Sequence, residues 1–556
     1  MLYTSDFETA NAQYNIDNNI TWVWLWDICE CEKFTHTTGT TIDTFFETLK
    51  EIAPATIYFH NIEFDGIFIL DYLLKHGYTF YNHIDNRPEK YINCLITEQN
   101  VIYNIKIPVK TKKGWRIIEF RDSSKKIPGT VEDIAKAWKL PILKGSIDYT
   151  LDRRNYTPTD NDIAYIKNDT EIIARVLSKL YELNMTKLTS AGDSFNAYKE
   201  CIKVFNNLYP VLPREIDNFV RASYRGGMVQ VKSGLENNML KNVYVYDVNS
   251  MYPAQMLKNL PYGTPKYYQG QYKNDELYPL YVQRVSVCFE VKENHVPTIL
   301  TNGNGFSIVK KYIKSTNNEM IELNLTSIDL QLLFKNYNVY DIEYIDGYKF
   351  KASDMLFKQY ILPLYDIKCN STGSAKQRAK ILLNSLYGKF AFNPDHLNKY
   401  PTLNEENAVR FDLLPLEKGD SIYTAVASFI TAYARELLVN TINKNYNDFV
   451  YCDTDSVHLL KQTNNIDVDS KRLGAWDLEK IYKNAKYMCQ KRYIGEKQDA
   501  TLDVKCAGCT KAVKKQMNFD NFIEGAMFNG NLKRRIVDGG CLLVPTTFEL
   551  KNTTIK

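Results

Sequence analysis

No apolar run of about twenty residues, the length needed to span a bilayer, occurs in the 556-residue chain. The most apolar window, residues 425–442, is interrupted by Arg435 and Glu436. An apolar secretion signal is also missing at the start, because Tyr3 to Glu8 already reads as a strand bearing acids. The eleven cysteines are irregularly spaced, which fits a reducing compartment better than a disulfide framework. Cys506 and Cys509 have no second Cys or His pair at matching spacing, so they read as structural rather than as zinc ligands. We therefore expect a cytoplasmic protein with no membrane partner. With 44% hydrophobic residues, the chain has enough apolar material for several domains.

A strong excess of one charge is missing too, the net value being +4. The excess is nevertheless local. Residues 501–556 hold nine Lys and Arg against five Asp and Glu, so the first 500 residues balance at sixty of each. Lys505, Lys511, Lys514, Lys515, Lys533, Arg534 and Arg535 form a basic C-terminal segment able to neutralise phosphates. Alone, such a segment would read as a solvated face.

The most informative stretch runs from Phe449 to Leu460, where two β-branched and aromatic arms flank Asp453-Thr454-Asp455-Ser456. It predicts a β-hairpin with both acids at its tip, where repulsion between two carboxylates favours a divalent cation. An isolated pair of this kind is most often just a turn, but a third acid is available. Residues 243–247 form a second apolar strand expected to end on Asp247, with a turn and then a helix starting near Pro253. Together the three acids could hold two Mg²⁺ about 3.5–4 Å apart, as in-line phosphoryl transfer requires.

These residues carry a resemblance. Asp247-Val-Asn-Ser-Met-Tyr252-Pro and Tyr451-Cys-Asp-Thr-Asp-Ser resemble the first and third palm motifs of family B DNA polymerases, and Lys380-Ile-Leu-Leu-Asn384-Ser-Leu-Tyr387-Gly resembles their finger motif. The resemblance implies that Asp247, Val248 and Asp455 bind the metals with Asp453 beside them. It implies that Lys368, Lys376 and Lys380 contact the triphosphate, that Tyr252 and Tyr387 lie under the incoming nucleotide, and that Asn384 fixes it. Lys491 and Tyr493 match an element that holds the primer.

Near the N-terminus, Asp6 and Glu8 share one face of a predicted strand, where burial alone would place apolar residues. Asp65 follows the strand-like residues 57–61 at the junction with an apolar helix over 67–74. Residues 162–173 have helical period, with Tyr165 and Asp169 on one face at i and i+4. Four acids and a tyrosine in this order resemble the D-E-D-D type of 3′–5′ exonuclease. In that resemblance Asp6, Glu8, Asp65 and Asp169 hold a second metal pair, Tyr165 orients water, Lys144 assists hydrolysis, and Asn61 and Phe64 grip a single-stranded 3′ end. The sequence departs from the family at Ser123-Ser124, where relatives tend to have Ser-Leu. Tyr224-Arg225-Gly226-Gly227, which by itself is a turn, matches the family's template-contacting element between the two activities.

Two long intervals, 259–355 and 393–421, resemble the insertions of protein-primed phage polymerases of the phi-twenty-nine type. The expected fold is thus multidomain α/β and α+β, with an RNase H-like exonuclease over 1–190 followed by a right-hand polymerase. Its parts are palm at 191–258 and 422–506, a first insertion at 259–355, fingers at 356–392, a second insertion at 393–421 and thumb at 507–556. The resemblance implies a monomer that uses template and primer DNA, deoxynucleoside triphosphates, a terminal protein primer, and two Mg²⁺ per active site, replaceable by Mn²⁺. A nuclease with a decayed polymerase half is disfavoured by the presence of all three palm acids and Lys380. A non-catalytic replication scaffold would have no use for so many clustered acids.

Overall fold

The computed structural model describes residues 1–82, 88–300 and 312–552. Among these, no helix is long and apolar enough to cross a membrane. The N-terminal part is built on a mixed sheet whose central strand Leu2–Thr9 pairs antiparallel with Val23–Glu30 and parallel with Ala55–Phe59. Beyond Ala55–Phe59 the order continues through Gly114–Asp122, Ile102–Thr111 and Tyr91–Thr97. Helices Ile42–Ile52 and Ile62–Lys75 cover one face with Phe45, Phe46, Leu49, Phe68 and Ile69, and Asp160–Glu182 packs against Leu2–Thr9 and Val23–Glu30.

A second, seven-stranded sheet has Met239–Val248 between Trp476–Cys489 and Ser456–Leu459. Val243 and Val245 face one apolar core and Tyr246 and Val248 another, so this strand is covered on both sides and is apolar at successive positions. Helix Thr424–Lys444 is apolar nearly all round, as a fully buried helix must be. It sends Phe429 and Ile430 into one core and Leu438 and Val439 into the next. Its one buried cation, Arg435, is neutralised by both oxygens of Asp329 at 2.8 Å.

Between Leu260 and Ser353 the chain makes a four-stranded sheet of its own. The excursion after residue 393 is not a free loop. Asn398–Leu403 and Val409–Leu413 form a β-ribbon that joins the edge of the N-terminal sheet through Asn398 opposite Thr97 and Lys399 opposite Ile96. Val409 enters the same N-terminal core as Cys541 from the C-terminal hairpin Met527–Val537/Gly540–Glu549. Two distant segments thus close onto one domain, using apolar side chains spaced too sparsely for sequence periodicity to reveal.

Local boundaries differ from expectation in two places. Asn61 takes a left-handed backbone (φ +74°), which turns the chain directly into helix Ile62–Lys75, so Asp65 lies in a first helical turn rather than ahead of the helix. Ser250 does the same (φ +54°), and the helix there begins at Met251 instead of Pro253.

Candidate active sites

In the seven-stranded sheet, Asp247 stands opposite Ser456, and Asp453 also stands opposite Ser456 across the hairpin. The turn is closed by Asp455 N–H donating to Asp453 O at 2.7 Å and by a left-handed Thr454. Val248 N–H donates to Asp455 O at 2.8 Å, which ties the hairpin tip to the strand carrying Asp247. A cavity of about 420 Å³ opens there, lined by Asp247, Val248, Asp455, Tyr252, Lys368, Lys380, Asn384 and Tyr387.

Helices supply the rest of the cavity lining. The short helix Met251–Gln255 presents Tyr252, whose ring stacks on Tyr387 with centroids 4.1 Å apart. Helix Gly373–Ser385 supplies Lys380 and Asn384, with Lys376 one turn earlier. Lys368, from helix Lys358–Asn370, donates to Ser250 Oγ at 2.7 Å. Burial, with repulsion from Lys380 and Lys376, lowers its basicity. Opposite them, burial and then the charge of Asp455 push the Asp247 carboxyl up to about 7. Burial also raises Asp455.

Asp453 does not line this cavity; Lys491 holds it, Nζ lying 2.6 and 2.7 Å from its two oxygens. Tyr493 is largely internal, packed against Tyr451, Tyr487 and His458. The Tyr224–Gly227 element runs directly beneath the hairpin tip, where a Cβ on Gly227 would lie 2.8 Å from Thr454 Oγ1, so only glycine fits. Arg225 lies in this element. Its side chain is 5% exposed and turned inward, donating to the carbonyls of Ser223 and Asn324. Arg435 Nη1 caps the carbonyls of Arg225 and Gly226, fixing the backbone of this element from below.

The N-terminal acids form a second cluster. Glu8, Asp65 and Asp169 are at most 5% exposed. Burial, followed by the charge of Asp169, pushes Asp6 up to about 7. Burial and then the charge of Asp6 hold Glu8 and Asp65 well above the carboxylate range. Lys144 Nζ makes an ion pair with one oxygen of Asp169 and lies 5.1 Å from the Tyr165 ring centroid. The Tyr165 hydroxyl is 2.8 Å from that of Tyr149. Tyr149 was not expected: it lies in the irregular segment after Lys144, where no periodicity marks it. Asn61 is exposed beside the cluster and Phe64 half-buried against Phe68. Ser123 is consumed internally, donating to Phe59 O at 3.1 Å.

Among the described residues, no three His, Cys, Asp or Glu side chains close on one point as a finished ligand set. The case for cations is electrostatic. Asp169 Oδ1 is buried without a hydrogen-bond partner, and both clusters contain acids whose carboxyls are pushed up by burial and then by repulsion from a neighbouring acid. Hard divalent ions fit such oxygen sets.

The C-terminal basic residues are partly occupied. Arg534 Nη2 donates to Glu63 at 2.9 Å, Arg535 to Ile16 O at 2.7 Å, and Lys511 lies 3.4 Å from Asp133. All three contacts dock the hairpin region on the N-terminal domain.

An acidic strand and hairpin share one cavity with a lysine-bearing helix, and a second cluster of buried acids lies in the N-terminal domain, an arrangement suited to phosphoryl transfer on a polyanion. The sequence profile described as DNA polymerase type B, organellar and viral, matches residues 49–161 and 147–471. The DNA polymerase of Bacillus phage phi29 is 38% identical, over 99% of both chains, and that of Streptococcus phage Cp-1 is 32% identical over the same shares. The solved structure of phi29 DNA polymerase with primer-template DNA superposes with a TM-score of 0.92 at 37% identity, covering 99% of this chain and 100% of that one. The orthorhombic crystal form gives 0.94. The chain belongs to the family B DNA polymerases of the phi29 phage type, and it is a multidomain α/β and α+β DNA-directed DNA polymerase. Enzymes of this family use divalent metals.

Proposed function

We propose that the Asp247/Asp455 cavity extends a DNA primer and that the Asp6/Glu8/Asp65/Asp169 cluster removes mispaired 3′ ends. The observation that carries the first half is a single cavity lined by Asp247 and Asp455 together with Lys368 and Lys380. A phi29 polymerase structure is described as complexed with primer-template DNA and incoming nucleotide substrates, which supports the same occupants here. Lys380 and Lys368, with Lys376 behind them, bind the triphosphate as point charges. The Tyr252–Tyr387 stack is the floor under sugar and base, and Asn384 orients the nucleotide. Lys491, with Tyr493 and the backbone of Tyr224–Gly227, positions primer and template at the hairpin tip. Magnesium, two ions per site and replaceable by manganese, would be held by Asp247, Val248 and Asp455, and by the four N-terminal acids; it supplies Lewis acidity to the reacting oxygens.

At the N-terminal cluster Tyr165 orients water, Lys144 holds Asp169 and stabilises charge, and Asn61 and Phe64 receive the frayed strand. The exonuclease, palm, fingers, thumb and two insertions take the boundaries given by the sequence, with both insertions serving a terminal protein primer and the second also displacing the downstream strand. The protein works as a monomer. Primer extension with Mg²⁺ and deoxynucleotides, alongside degradation of single-stranded DNA, tests the assignment: extension must require Asp455 and degradation Asp6 and Glu8. A chain that did neither would sink it.

A further inference from the structure

Beneath the N-terminal cluster lies a second polar layer that none of the assigned roles uses. Asp27, on strand Val23–Glu30, is fully buried and stands directly opposite Asp6 in the antiparallel ladder. One of its oxygens accepts from Thr170 Oγ1 at 2.5 Å and faces His36 Nδ1 at 2.9 Å; the other has no partner. Thr170 immediately follows Asp169 on helix Asp160–Glu182. Its carbonyl accepts from Thr4 Oγ1 at 2.9 Å, and Ser5 Oγ donates to Asp27 O at 2.7 Å. The outer end of the layer is closed by Glu171, 3.4 Å from His36 Nε2 and itself paired with Arg175.

Burying an acid this deeply is costly unless its partners are worth keeping. Asp27 grips both the strand bearing Asp6, through the backbone ladder, and the helix bearing Asp169, through Thr170, and the Thr4 hydroxyl on the Thr170 carbonyl reinforces the same junction. Apolar packing between helix and sheet tolerates small sliding, whereas the side-chain bond from the Thr170 hydroxyl to the buried Asp27 carboxyl fixes the register.

We propose that Asp27 and Thr170 are positioning residues of the degradative site, locking Asp169 in register with Asp6 so that the two carboxylates can share divalent ions. The proposal rests on the exonuclease reading above. Thr170→Val preserves shape and removes the hydroxyl; Thr170→Ser restores it. We expect Thr170→Val and Asp27→Asn to slow 3′ degradation by about 10-fold or more, the usual scale for groups that orient metal ligands, with extension unchanged. Calorimetric Mn²⁺ titration in an Asp455→Ala background should show a matching loss of affinity, and Thr170→Ser should recover most of both. An Asp27→Asn chain that also loses extension has lost its fold, and the Thr170 pair then decides. Parent-like degradation or Mn²⁺ affinity in Thr170→Val, or no recovery in Thr170→Ser, overturns the proposal. Degradation that survives Asp6→Ala with Glu8→Ala would instead overturn the exonuclease reading beneath it.

Discussion

Lys491 Nζ lies within 2.7 Å of both carboxylate oxygens of Asp453, so of the two acids at the hairpin tip only Asp455 is free to face the cavity. In the proposed assignment the pair also anchors Lys491, the residue given to the primer strand. Because the two groups are 41% and 25% exposed, breaking the pair should cost stability only about 1 kcal/mol or less. Lys491→Ala is therefore expected to weaken primer binding while barely moving the melting temperature, and Asp453→Asn to be milder than Asp455→Asn. Equal losses in the two Asn variants would contradict this division of labour.

The two acidic clusters sit on separate sheets. Asp455→Ala should lower nucleotide incorporation by roughly 100- to 1,000-fold, the scale of losing a key electrostatic partner, and leave single-strand degradation nearly intact. Asp6→Ala with Glu8→Ala should do the reverse. Loss of both activities in either folded variant would show that the assignment to two sites is wrong.

Tyr252 is held against Tyr387 by ring stacking, which fixes its edge at the floor of the cavity. In the proposed assignment a rigid aromatic there would exclude a 2′ hydroxyl. Tyr252→Val should raise the ratio of ribonucleotide to deoxynucleotide incorporation, measured as relative kcat/KM. An unchanged ratio removes Tyr252 from sugar selection.

Asp6 and Asp247 are both pushed up to about 7 in the folded chain, from an ordinary value of 3.8. The folded state therefore binds more protons than the unfolded state between these values, and stability contributed by the protonated forms is lost as pH rises through that window. Without divalent ions, the melting temperature should fall as pH is raised from about 4 to 7. Mg²⁺ should raise it more at the upper end, where the carboxylates are charged, and Asp6→Asn with Asp247→Asn should flatten the profile. A metal-induced shift independent of pH would argue against these acids as ligands.

The ribbon of residues 398–413 is anchored on the exonuclease-side sheet, while the C-terminal hairpin packs into the same core from elsewhere. Replacing residues 394–419 by a short Gly/Ser linker should preserve extension on an open primed template but lose strand displacement and long products on a nicked duplex, with trap DNA present. Equal product lengths for variant and parent on both templates would reduce the ribbon to a surface feature.

The sequence by itself determined the local chemistry. The alternation of Leu2–Thr9, the hairpin around Asp453 and Asp455, the helical spacing of Tyr165 and Asp169, and the ordered polymerase motifs all depend on neighbours within a few residues, where period and turn preference are direct physical constraints. Only the tertiary structure decided what lay between distant segments. It turned Arg225 inward onto Asn324, paired Lys491 with Asp453, brought Tyr149 to Tyr165, attached the ribbon after residue 393 to Tyr91–Thr97, and set Asp27 and His36 beneath Asp6. None of these leaves a periodic trace. A side chain's partner across hundreds of residues is selected by sheet order and helix packing, and an arginine or an aspartate reads the same in sequence whether it meets DNA, a metal or a buried hydroxyl.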